Sequence, residues 1–128
     1  MRALVLSLTL FVLTLSASAA GLNGTYKGTW SGNNGGGGFV ITVDSRDSSH
    51  PKADVSFTLA GQDVKCSVTS ASINGSKINV TYKFEIDGNE LQSSVSGELQ
   101  GNILQGSYTT KALADGSEVD SGTWKASS

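Results

Sequence analysis

The chain is predicted to fold as one eight-stranded antiparallel up-and-down β-barrel, soluble, polar outside and apolar inside. Three observations lead there. Apolar and polar residues alternate with period two through most of residues 22–126. Turn-forming pairs recur between the alternating runs, and the glycines inside the strands share the apolar phase.

Before the first strand, residues 1–19 read as a secretory signal peptide. Arg2 supplies the positive start, Ala3 to Leu15 the apolar stretch, and Ala17-Ser18-Ala19 the small-x-small cleavage pattern. The apolar stretch is too short for a stable bilayer span, which needs about 18 residues or more. The mature domain is therefore expected to be residues 20–128, exported to a bacterial periplasm or the extracellular space, with no membrane insertion once the signal is removed.

Strands are expected at roughly 22–31, 38–45, 53–60, 63–72, 77–87, 90–99, 102–113 and 118–126. The fifth is the clearest. Ile78, Val80, Tyr82, Phe84 and Ile86 share one face, and Lys77, Asn79, Thr81, Lys83 and Glu85 share the other. Phe39, Ile41 and Val43 repeat the phase on the second strand, and Val55, Phe57 and Leu59 on the third. Between strands, Ala60-Gly61, Asn74-Gly75, Asp87-Gly88, Gln100-Gly101-Asn102 and Asp115-Gly116 supply residues that tolerate the positive φ of tight hairpins. Two longer loops are expected at Ser31 to Gly38 and Ser45 to Lys52. Short hairpins force a meander. The inward phase of Gly24, Gly28, Gly97, Gly106 and Gly122 favours its closure, since glycine inside a strand marks curvature or close approach.

With 9 Lys and Arg against 11 Asp and Glu, spread singly, the charge pattern gives no basic patch for nucleic acid or anionic membrane. Cys66 is the only cysteine, so a monomer has no internal disulfide; it lies in phase with Val64 and Val68 and reads as a small core residue.

The segment Gly28-Thr29-Trp30-Ser31-Gly32-Asn33-Asn34, followed by Gly38-Phe39-Val40-Ile41-Thr42, resembles the opening of avidins. With the export signal and the meander, it makes the chain similar to the calycin superfamily, which also holds lipocalins and fatty-acid-binding proteins. The resemblance implies a barrel whose first-strand Trp closes the floor, with Asn33 matching a ligand-contacting loop asparagine. It does not extend to biotin. Gly35 to Gly38 stand where avidins place a serine, and Trp124 is the only Trp beyond the first strand.

No motif predicts catalysis. The run Gly32 to Gly38 lacks the Lys-Ser/Thr pair and the helix of a phosphate loop, and reads as a connector. His50, near Asp44, Arg46 and Asp47, reads as a solvated loop rather than a metal or acid–base site. Asn23, Asn74 and Asn79 begin Asn-x-Ser/Thr patterns, which carry meaning only in a eukaryotic secretory pathway. No cofactor and no metal site are expected.

The aromatics carry the functional expectation. Tyr26, Trp30, Phe57, Tyr82, Phe84, Tyr108 and Trp124 share the inward phase. An eight-stranded barrel is just wide enough to be filled by side chains or to hold one small ligand. These seven residues and Asn33 are the candidate binding residues for a small apolar or amphipathic molecule, held without chemistry. The alternatives are a filled barrel acting through its surface and a barrel isomerase or cyclase.

Overall fold

The computed structural model describes residues 22–47 and 49–128; the signal-peptide reading lies outside them. Among the described residues there are nine strands and no helix: β1 (Gly24–Gly32), β2 (Gly35–Asp44), β3 (Lys52–Leu59), β4 (Gln62–Lys65), β5 (Ser67–Asn74), β6 (Lys77–Ile86), β7 (Asn89–Gln100), β8 (Ile103–Ala112) and β9 (Glu118–Ser127). They form one antiparallel meander sheet, ordered β4-β3-β2-β1-β9-β8-β7-β6-β5, curled strongly into a half-barrel.

The first and last strands of the chain meet in the middle of that sheet, Trp30 opposite Trp124. Close approach explains the glycines there. A Cβ at Gly28 would sit 1.8 Å from the Lys125 carbonyl oxygen, and one at Gly106 equally close to that of Ser96. At Gly97 it would stand 2.4 Å from the Trp124 ring, so the missing side chain is the space the indole fills.

Two sequence expectations are corrected. The segment 63–72 is not one strand but β4 and β5, which meet at Cys66. Its first part pairs with β3 (Phe57 opposite Val64) and its second with β6 (Ser67 opposite Lys83), so the chain must turn between two partners. The alternation of Val64, Cys66 and Val68 runs through that break and gives no sign of it. The predicted loop from Ser31 to Gly38 is also mostly strand. Register Trp30–Gly37, Ser31–Gly36 and Gly32–Gly35 leaves only Asn33 and Asn34 as the connection. Gly37 is needed on that edge, because a Cβ would lie 2.1 Å from the Thr58 carbonyl oxygen.

Elsewhere the turns follow the local chemistry. Ala60 and Gly61 take φ of 53° and 78°, and Asp87 and Gly88 take 51° and 81°, the paired positive values of a tight hairpin. Ala60 holds its conformation against Cβ crowding worth about 1–2 kcal/mol. Ala60→Gly should therefore raise unfolding free energy by about 1 kcal/mol in urea titration, where most glycine substitutions would lower it.

The apolar phase faces the concave side. Ile41, Ile78 and Leu104 are fully buried at the end near the chain termini, with Leu22, Val43 and Ala126 around them. The other end, where the β1–β2, β3–β4, β6–β7 and β8–β9 connections lie, is lined by larger and less buried side chains.

Candidate functional site

A cavity of about 260 Å³ occupies the concave face toward that second end. Every strand except β4 and β5 contributes to its wall. Trp30, Phe57, Tyr82, Phe84, Tyr108 and Trp124 all line it, together with Phe39, Val95, Leu59, Ile86 and Leu91. The rings pack edge to face: Trp30 stands 6.0 Å from Phe57 at 85° and 6.0 Å from Tyr108 at 89°, and Phe57 meets Phe84 at 5.0 Å and 84°. The mouth is apolar as well, with Leu59, Ile86 and Leu91 partly buried and Val119 40% exposed.

Two of the sequence-predicted residues lie elsewhere. Tyr26 is buried outside the cavity lining and donates to the Asn23 carbonyl at 3.4 Å. Asn33 does not line the cavity; Asn34 does.

Both indoles are anchored away from the cavity. Trp30 donates from Nε1 to the Thr58 carbonyl at 3.0 Å, and Trp124 from Nε1 to the Ser96 carbonyl at 3.2 Å. Trp124 is buried over Gly97 and against Phe39, so it forms the base of the cavity, while Trp30 stays half-buried in its wall. A buried hydrogen bond between the Ser93 and Thr110 hydroxyls crosses from β7 to β8 within the lining. Burial pushes the Tyr82 phenol above its ordinary range, against a contribution from Ser93.

The residue the sequence reading missed is Asp120. Its Oδ2 accepts the Tyr108 hydroxyl at 2.7 Å, and its Oδ1 accepts the backbone N–H of Asn33 at 3.0 Å and of Asn34 at 3.3 Å. Just beyond it lies a register shift between Thr110 and Lys111, which pair with Asp120 and Glu118 and leave Val119 unpaired between them. Asp120 keeps the inward phase of Gly122 and Trp124, and the shift brings Val119 to the mouth beside it. Gly32 completes the arrangement, since a Cβ there would stand 2.0 Å from the Tyr108 hydroxyl and 2.7 Å from Asp120 Oδ2. The signal was present in the sequence: Asp120 lies two residues before Gly122 and four before Trp124, in the same phase. Burial first, and the Asp120 bond second, raise the Tyr108 pKa, so the phenol keeps its proton and donates it.

Other candidate groups stand apart from this cavity. His50 is 80% exposed, with Nδ1 3.5 Å from Asp47 Oδ2. Arg46 chelates Asp44 and, through those hydrogen bonds, lowers its pKa to about 2. Cys66 is half-buried, and burial pushes its thiol up to about 12 from 9.0. At pH 8.5 the native thiol should therefore react with iodoacetamide at least about tenfold more slowly than in urea; equal rates would contradict its burial. The same shift has a sign for stability. Between pH 9 and about 12 the unfolded thiol has ionised and the folded one has not, so stability falls as pH rises through that window.

Compared with protein-family models, with curated proteins and with solved structures, the chain matches none.

Proposed function

We propose that this protein is an exported, non-catalytic binding module that holds one small apolar or amphipathic molecule in its aromatic cavity. The observation that carries the reading is the hollow itself: about 260 Å³, walled by six aromatic side chains of the predicted set and open at an apolar mouth. A dry cavity of about 150 Å³ already holds benzene, so this one suits a ligand of about ten heavy atoms. Affinity comes from burying aromatic and aliphatic surface, and the polar groups of the wall orient the ligand.

The barrel reading belongs to the same proposal. Counting β4 and β5 as one strand bent at Cys66 makes eight strands, and β5 lies against β3 as β4 does against β6. The sheet then returns on itself in the manner of a calycin. The secretory pattern of residues 1–19 supports export.

Binding is favoured over catalysis because no histidine or lysine lines the cavity among the described residues. The test is calorimetric titration with naphthalene. A single site with Kd on the order of 10 µM is expected from ten carbons buried. Leu91→Trp, which plugs the mouth, should weaken it at least about tenfold. Absence of saturable binding would overturn the proposal.

A further inference from the structure

We propose that the cavity is selective for a cationic amphiphile, a protonated or quaternary amine on an apolar body; this rests on the binding reading above. Among the described residues that line the cavity, Asp120 alone carries a charge. No Lys or Arg among the described residues lies within ion-pair distance of it. Its backbone partners crowd onto Oδ1, whereas Oδ2 accepts only the Tyr108 hydroxyl and keeps capacity for another donor. An ammonium group entering the mouth would meet that oxygen.

The rest of the wall favours the same sign of charge. Trp30, Phe57, Phe84 and Tyr108 present π-systems whose faces are negative, and an aromatic surround with a carboxylate at its edge is the arrangement that recognises alkylammonium groups. A carboxylate ligand of equal size would face Asp120 across a water-poor cavity with no cation to receive it. Its entry is penalised twice, by repulsion and by desolvation. The overall charge of −2 adds a weak attraction for cations at low salt.

The test compares phenylbutylamine, phenylbutanol and phenylbutanoate, which share one apolar body, by calorimetry at pH 7. The amine should bind about tenfold tighter than the alcohol, and the acid weakest of the three. In Asp120→Asn, whose single carbonyl oxygen can still accept from the Asn33 and Asn34 N–H groups while its NH2 donates to the Tyr108 oxygen, the amine should fall to the level of the alcohol. On the unmodified chain the amine's affinity should drop between low and high salt while the alcohol's stays level, an outcome that does not depend on the variant folding. Equal binding of amine and alcohol would overturn the charge selectivity and leave the cavity reading standing. An amine preference that survives both Asp120→Asn and high salt would also overturn it. No binding by any of the three would remove both.

Discussion

Trp124→Ala should destabilise the protein by about 3–5 kcal/mol, the usual range for removing a buried large aromatic. The indole is 3% exposed, packs 5.0 Å from the Phe39 ring, and donates to the backbone of Ser96 and Ser107 across two neighbouring strands. Its loss would empty the base of the cavity and leave two strands without their cross-link. Gly97→Val should cost a comparable amount for the opposite reason, since the new side chain would enter the space of the ring. The two changes therefore should not add. In the double variant the valine occupies room the indole has vacated, and urea titration should show a coupling of about 1–3 kcal/mol in favour of the pair. Additive losses would mean that Gly97 is kept for something other than Trp124.

Gly32→Ala should be the second large effect, and it should act on the site as well as on stability. The methyl would stand 2.0 Å from the Tyr108 hydroxyl, so the Tyr108–Asp120 hydrogen bond cannot survive unchanged. A loss of about 2 kcal/mol is expected from the forced displacement of two packed side chains. Tyr108→Phe removes the oxygen that the methyl meets first, so Gly32→Ala should be milder on that background. The same double variant separates strain from backbone preference, because Gly32 is not among the glycines held at positive φ. If Gly32→Ala costs as much in the Tyr108→Phe background as in the unmodified chain, the close contact is not its cause.

Much of this architecture was legible because period-two alternation survives wherever a strand has one apolar face. The run Ile78, Val80, Tyr82, Phe84, Ile86 marks β6 almost to the residue. The glycine-rich hairpin was not legible, since Gly35 to Gly38 bring no side chains to alternate; only the register against Trp30 makes them a strand. The division at Cys66 was hidden for the converse reason, because an unbroken alternation crosses a point where the backbone changes partners. At the site, the aromatics declared themselves by phase. Asp120 shares the phase of Gly122 and Trp124 but was passed over, because a carboxylate near a turn has an obvious solvated reading; the register shift that brings Val119 to the mouth leaves no mark in the residue types. Tyr26 shows the limit of phase as a guide. It points inward like Tyr108, yet lies outside the cavity lining, and only the position along the strand separates the two.

The central claim is that the concave face of the sheet encloses accessible apolar space. A crystal structure determined under xenon pressure tests it most directly, because xenon enters dry apolar cavities of this size without needing a chemical match. The expected result is ordered xenon between Phe57, Phe84 and Tyr108, above the Trp124 ring, with the surrounding side chains unmoved. An interior filled by collapsed aromatic side chains, with no xenon beyond the surface, would contradict the account.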